Sequence, residues 1–499
     1  MGGSAVGSVA PVVPSDALQV GTIETHGVDY IPEADRKSHP RNLAWAMFGP
    51  QFGFGNMFFG SLVIVFGLGW WSGVTAILVG TTLGSLIFAG MAIMAPKSGT
   101  NNATTSGAFF GITGRYLGSA LSIMIALGFT AILVWTSGQT VMVVFDRIFG
   151  FGTGDTQLSI YMAFIAIAAF AVAIYGHDTI ASMFKIISIS SFLVCVLSVI
   201  VLSDKFHAVS GGEYALGKFW ATWVLGVVVV ASLPISWGPF IGDYGRYIPS
   251  NASARACAGW AGLGMFGGCL ISLLIGAYVT TTFADPGTLL ATGYPTVAPL
   301  WLAILLMLTA GGLSNIESAT MSIYNAGIDL QSILWRLSRT LLTAVISVVA
   351  LIVSYVALIG YDAISSVEAF VTLILAFVTP WLVILVVGHL HRGGRYYTLD
   401  VQAFRVPGEK GAYWFNGGFN PRAWIAWLAA SGVGLLFTET SIITGPLPKH
   451  IDNIDLSFTS AAIVGGVVYY VLLRVWPERG VVPGDEPAPG APRTLGMAE

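Results

Sequence analysis

The sequence predicts an all-α integral membrane protein of twelve transmembrane helices, on three observations. Charged residues fill only 9% of the 499 positions and hydrophobic residues 55%, whereas a soluble domain carries about 25% charged residues. The apolar residues gather in runs long enough to cross the roughly 30 Å hydrocarbon layer, which takes about 20 residues of helix. The basic residues fall almost wholly on one side of the topology these runs imply. So few charges cannot cover a water-facing surface, and lipid must be the outer solvent.

The apolar runs lie at 42–67, 70–95, 117–145, 158–175, 180–202, 219–242, 257–283, 298–323, 339–359, 365–388, 423–441 and 459–476. Continuous stretches of this length are helices, because membrane β-barrels show short alternating strands instead. Residues 1–40 are polar, are broken by Pro11, Pro14, Pro32 and Pro40, and lack the apolar segment of a cleavable signal. Residues 477–499 are rich in Pro and Gly and read as a disordered tail. An even number of spans puts both tails on one side. With that side cytoplasmic, only Arg147, Lys205, Lys218 and Lys449 of the 22 Lys and Arg lie outside. This is the positive-inside pattern, expected of a multi-pass protein of the cytoplasmic membrane. Net charge of −3 gives no sign of a nucleic-acid partner. Cys195, Cys257 and Cys269 all sit in apolar runs and read as small buried hydrophobes.

Two runs carry sequences that interrupt helices. The first contains Gly49-Pro50-Gln51-Phe52-Gly53-Phe54-Gly55-Asn56 and the sixth Ser236-Trp237-Gly238-Pro239-Phe240-Ile241-Gly242-Asp243. Proline removes a backbone donor, and clustered glycine eases departure from helical geometry. The two interruptions correspond if the chain is two five-helix repeats, about 42–202 and 219–388, followed by extra helices at about 423–441 and 459–476. Paired interruptions of this kind point to an inverted-repeat transporter whose site lies at the middle of the membrane; the plainer reading is two proline kinks.

Broken helices expose N–H and C=O groups that bind polar solutes or cations. Trp135 and Gln139, four apart in the third run, share a helical face. An indole offers a stacking surface and an amide offers both donor and acceptor, a pairing that suits a flat heterocycle. Trp237 in the second interruption can close the stack, and Gln51 in the first can read a substrate edge. The eighth run, with Ser314, Asn315, Glu317 and Ser318, is too polar to face lipid. Ser314, Glu317 and Ser318 line one face. An ionisable group in mid-span is a functional candidate by default: Glu317 can accept a coupling proton, sit beside a cation, bind a donor edge of the solute, or serve as a structural carboxylate. Asp243 and Arg246, ending the sixth run, are either a gating ion pair or an ordinary helix-end pair.

Gly262-Leu263-Gly264-Met265-Phe266-Gly267 matches a dinucleotide fingerprint only formally, since it lies within a membrane helix with no preceding strand. No P-loop, zinc-protease motif or nucleophile–base set appears, so the chain is not expected to be an enzyme. A channel would be expected to assemble a filter from repeated subunits rather than enclose one polar site.

Across all twelve runs the chain resembles the nucleobase–cation symporter family, in its purine–cytosine permease branch. The segments that carry the resemblance are Arg41-Asn42-Leu43-Ala44, Pro96-Lys97-Ser98-Gly99-Thr100-Asn101, Trp237-Gly238-Pro239 leading into Asp243-Tyr244-Gly245-Arg246-Tyr247-Ile248-Pro249, and Ser322-Ile323-Tyr324-Asn325-Ala326-Gly327. The resemblance implies a LeuT-type five-plus-five inverted repeat, alternating access, and symport of a planar heterocycle with Na+ or H+, with no other cofactor. It implies that Trp135, Gln139 and Trp237 sandwich and hydrogen-bond the ring, with Gln51 as a further contact; Gly238, Asn315 and Glu317 complete the candidate set for the solute. It places a possible sodium site at Met47, Pro50 and Ser314. Family members for purines and cytosine present paired asparagines late in the eighth helix; here only Asn315 stands there, beside Glu317, Ser318 and Ser322. The solute therefore stays open among purines, cytosine, allantoin, hydantoin, thiamine- or pyridoxine-type vitamins and amino acids.

Overall fold

A computed structural model describes residues 30–484, apart from 176, 286, 335, 359–362, 406–407 and 441–442 and the side chains of 175–185, 357 and 358. The two tails, 1–29 and 485–499, therefore lie outside the described residues. Helix dominates, and the described residues form no strand longer than an isolated bridge.

The first span is two helices, α1 (Asn42–Phe48) and α2 (Phe54–Val65), joined by a tight turn at Gly49–Phe52 and bent by 66°. Pro50 lies in that turn, and Gly53 leaves it in an extended conformation that helix cannot continue. Next come α3 (Trp70–Met91), α4 (Tyr116–Phe149), α5 (Asp155–Tyr175) and α6 (His177–Val201). At 34 residues α4 is about 51 Å long, so it must lie tilted in the bilayer or project from it.

The sixth span is also interrupted, without the sharp bend of the first: α7 (Phe219–Ser236) stops at a four-residue turn over 237–240, and α8 (Ile241–Gly245) follows. Then come α9 (Ala254–Thr280) and the short α10 (Leu290–Val297). The eighth span is again double, α11 (Leu300–Leu308) and α12 (Leu313–Ile333), with its break at Thr309–Gly312. That break was not foreseen, and the span ends ten residues beyond its expected limit of 323. The rest are α13 (Arg339–Leu358), α14 (Ala363–Leu373), a widened π turn at Ile374–Val378 just ahead of Pro380, α15 (Thr379–His391), α16 (Pro421–Leu436) and α17 (Ser457–Val475). The π turn relieves the clash that Pro380 would otherwise make with the preceding turn.

Among the described residues nine helical stretches are long and apolar enough to span a bilayer, and the bent first pair makes a tenth. The other two expected spans correspond to α6 and to α16, which has 16 residues, in keeping with a twelve-helix fold. Large apolar side chains such as Leu86, Phe164, Ile167, Val348, Leu428 and Ile463 are exposed on the outside. An exposed apolar belt this extensive is the surface of a protein solvated by lipid.

The interior is organised around the breaks. α9 packs on α1 and α2, α7 on α3, and α12 on α4, while α16 and α17 pair to one side. Gly264 and Gly276 let the backbones of α9 and the first span approach: a Cβ at either would overlap the Ala44 or Met57 backbone. The segments flanking the bundle are also packed. Arg36 is buried and donates to the Pro96 carbonyl at 2.8 Å. Within residues 477–484, Glu478 pairs with Arg392, and Val481 and Val482 are buried.

Candidate binding site at the helix breaks

The break in the first span is held by side chains from three helices. The N–H of Phe54, first residue of α2, donates to Ala310 O in the break of the eighth span at 3.0 Å. The next N–H, of Gly55, donates to Asn315 Oδ1 at 3.2 Å. Asn315 Nδ2 in turn donates to Thr136 Oγ1 of α4 at 2.9 Å. One buried amide thus ties α2, α4 and α12 together, beside Trp135 in the chain. Gly53 makes room for it: a Cβ there would lie 2.5 Å from Asn315 Oδ1.

Gln51 lies on the opposite side of the break. Its Nε2 donates to Met47 O at 3.0 Å, and its Oε1 accepts from Asn56 Nδ2 at 3.2 Å and from the Cys269 thiol of α9 at 3.4 Å. Both ends of the Gln51 amide are engaged, the nitrogen within the first span and the oxygen with both the first span and α9. Pro50 O accepts from Asn56 Nδ2 at 3.2 Å and from Ser318 Oγ of α12 at 3.4 Å. Both carbonyls expected for a sodium site, Met47 and Pro50, therefore already meet hydrogen-bond donors, whereas the Ser314 hydroxyl is buried without a partner.

Trp135 is 2% exposed and stands edge-to-face against Phe58 of α2, with ring centroids 5.7 Å apart. Gln139 is buried one turn along the same face, and its Oε1 has no hydrogen-bond partner. Trp237 is half-buried in the break of the sixth span and packs on Met321, Tyr324 and Ile328 of α12. Those residues continue the helical stripe that starts at Glu317, at spacings of four, seven and eleven. The Gly238 carbonyl, next to Trp237, accepts from Asn102 Nδ2 at 3.0 Å. Glu317 is 5% exposed, and neither carboxylate oxygen has a hydrogen-bond partner.

Trp135, Gln139, Ser314, Asn315 and Glu317 thus belong to the helices that frame the first break, and Trp237 joins them through the α12 stripe. Asp243 and Arg246 are buried in and just after α8, with Arg246 over the Tyr247 ring at 5.1 Å. Sequence reasoning missed Thr136, Asn56 and Ala310, which hold the break. The signal for Thr136 was faint: a hydroxyl next to Trp135, three residues before Gln139.

Buried polar atoms normally find partners; the Gln139 and Ser314 side-chain oxygens and the Glu317 carboxylate are among those that lack one here. Among the described residues no group of three or more His, Cys, Asp or Glu side chains is placed to hold a metal.

The model of a protein family described as permeases for cytosine/purines, uracil, thiamine and allantoin matches residues 30–465. A putative purine–cytosine permease of Bacillus subtilis, YxlA, is 26% identical over 468 residues, covering 91% of this chain and 96% of that protein. The yeast vitamin B6 transporter TPN1 is 23% identical over 192 residues, 38% of this chain and 32% of its own. Among solved structures, Mhp1, a nucleobase–cation–symport transporter in a closed conformation with bromovinylhydantoin bound, superposes with a TM-score of 0.70 at 19% identity, over 92% of this chain and 96% of its own. A Na+-coupled sialic acid symporter superposes with a TM-score of 0.57 at 12% identity, over 89% of this chain and 91% of its own.

Proposed function

Since the chain belongs to the family of permeases for cytosine/purines, uracil, thiamine and allantoin, we propose that it is a cation-coupled symporter that carries one planar, amide-bearing heterocycle by alternating access. The supporting observation is the α4 face, where the Trp135 ring lies one turn from the unpartnered Gln139 oxygen. A flat ring stacks on the indole and presents a donor edge to that oxygen. Trp237 closes the far side, with Gly238 beside it. Breaks in the first, sixth and eighth spans let the groups around the ring change partners as the helices reorient.

Gln51 and Asn315 hold the break in this reading, since their amides are engaged within the protein. Asp243 and Arg246 remain candidates for the cytoplasmic gate. Both termini are cytoplasmic by the charge distribution.

The test is thermal stabilisation of the purified protein by cytosine, purines, uracil, allantoin, hydantoin, thiamine and pyridoxine, because a ligand that binds only the folded state raises its melting temperature. The expected result is a saturable shift with one ring type that disappears in Trp135→Ala while the unliganded protein still melts cooperatively. An undiminished shift in Trp135→Ala removes that indole from the site. A shift with an amino acid and with no ring points to another solute on the same fold.

A further inference from the structure

On the transport reading, and with the orientation that the charge distribution gives, we propose that the turn Asp400–Arg405 plugs the cytoplasmic end of the solute path. Phe404 is its stopper, and Thr100, Asn101 and Asn102 are the clasp that ties it to the bundle. The turn is a short 3-10 helix between α15 and α16, outside every apolar run. A connection of this kind belongs in water, yet Val401 and Ala403 are buried and Phe404 is half-buried. Its near end is fixed: Ala412 N donates to Asp400 Oδ2 at 2.6 Å, and Tyr397 N donates to the Tyr413 hydroxyl at 2.9 Å.

Phe404 enters the bundle at the stripe of α12 that also receives Trp237. Met321, Tyr324 and Ile328 form one buried cluster, and Trp237, Tyr244 and Phe404 all pack on it. Trp237 comes to the cluster from the break of the sixth span, and Phe404 comes from the cytoplasmic connection. Along α12, Ile328 lies eleven residues past Glu317, about 16 Å nearer the cytoplasm. With Phe404 seated, Met321, Tyr324 and Ile328 are only 3%, 4% and 0% exposed, so a route past Trp237 is shut in this conformation. The Phe404 ring is capped in turn by Arg115, whose guanidinium carbon lies 3.5 Å from the ring centroid. Arg115 is buried at the start of α4 and donates through Nη2 to Ser332 O, near the end of α12, at 2.6 Å. A buried cation over an aromatic face holds that ring in place.

Three consecutive side chains in the connection from α3 to α4 tie this plug to the helices around it. Thr100 Oγ1 accepts from Gln402 Nε2 of the plug at 3.2 Å. Asn101 Nδ2 donates to Asp329 Oδ1 of α12 at 3.3 Å. Asn102 Nδ2 donates to Gly238 O, in the break of the sixth span, at 3.0 Å. Gly242 permits that approach, since a Cβ on it would lie 2.5 Å from Asn102 N. The segment Asn102–Thr105 also packs directly on the plug. A movement of the sixth-span break therefore pulls on Asn102 and, through the adjoining residues, on the plug and on α12. The wall beside the solute and the cytoplasmic closure are thereby one linked element, which opens when Phe404 leaves the cluster and the Gln402–Thr100 bond parts.

The test reads access to the cluster and needs no solute. Met321→Cys is made in the full-length protein, and its labelling by a membrane-impermeant maleimide is followed by peptide mass spectrometry. Inverted membrane vesicles present the cytoplasmic face, and intact cells present the other. The buried native Cys195 reports any general loosening in the same sample. With Phe404 in place, labelling at position 321 is expected to be slow from either face. Phe404→Ala is expected to speed it about tenfold or more in inverted vesicles, by favouring the open state, with Cys195 still protected and no gain in intact cells. Thr100→Val, which removes the acceptor of Gln402 and changes little volume, is expected to act in the same direction. Where Phe404→Ala exposes Cys195 as well, Thr100→Val decides alone. Unchanged labelling in Thr100→Val and in a Phe404→Ala protein that keeps Cys195 protected overturns the plug, and so does a gain confined to intact cells. Melting shifts with the heterocycles keep the two readings apart: a ring response with unchanged labelling overturns the plug and leaves the transport reading standing.

Discussion

Asn315 shows how a single side chain can look like a substrate contact and be occupied elsewhere. Its position on the polar face of the eighth span marks it for a solute, yet its amide bridges Gly55 N and Thr136 Oγ1 across three helices. Removing it leaves the buried Gly55 N–H without its acceptor, while the Thr136 hydroxyl keeps its bond to Ile132 O; an orphaned buried donor costs about 1–3 kcal/mol. Asn315→Ala is therefore expected to lower the melting temperature of the unliganded protein. An unchanged melting temperature with weakened ring binding would instead place Asn315 in the solute site. Trp135 and Gln139 were legible from the sequence because a four-residue spacing fixes a shared face whatever the fold. Periodicity names a face but not the groups opposite it, so the engagement of Gln51 with Cys269 could not be read.

At the scale of elements, proline and glycine announced two breaks and concealed a third. Gly49-Pro50 and Gly238-Pro239 remove backbone donors, and both coincide with interruptions in the structure. The eighth span breaks at Thr309–Gly312 with no proline. There the departure from helix is stabilised from outside, by Phe54 N donating to Ala310 O. Gly311 belongs to this arrangement because a Cβ on it would lie 2.7 Å from Thr140 Cγ2 of α4. Gly311→Ala is expected to destabilise the protein by about 1–3 kcal/mol through overpacking, measured as a lower melting temperature. Gly311→Ala with the smaller Thr140→Ser opposite should recover part of that loss, and no recovery would show that the methyl contact is not the cause.

At the scale of the whole molecule, the described residues just after the last helix are packed against the bundle. Glu478, three residues past α17, pairs with Arg392 at 2.7 Å, with both side chains 3% exposed, and also accepts from Asn420 Nδ2 at 2.7 Å. Arg392 closes α15 and Asn420 caps α16, so one carboxylate joins three helices. Cutting a buried pair on one side leaves a bare charge, at a cost of about 3–5 kcal/mol. Glu478→Ala is expected to lower stability by that order, whereas the apolar double variant Arg392→Met/Glu478→Leu should recover much of it. Equal losses in the single and double variants would show that the pair is net stabilising rather than merely required to be complete. The Pro- and Gly-rich composition after 477 concealed this anchor, because composition reports what a segment can do locally and not which distant charge awaits it.

The sequence by itself determined the membrane class, the twelve runs, two of the three breaks and the α4 pair of Trp135 and Gln139. Each follows from local physics: transfer of apolar side chains into lipid, loss of backbone donors at proline, and the repeat of a helix. Only the tertiary structure decided which buried polar groups are already engaged and which are left over. That distinction rests on pairings between residues as far apart as Gly55 and Asn315, or Pro50 and Ser318. It left Gln51 and Asn315 holding the break, and left the oxygens of Gln139, Ser314 and Glu317 without partners, because a hydrogen bond needs both groups in one place and the chain order does not say where they meet.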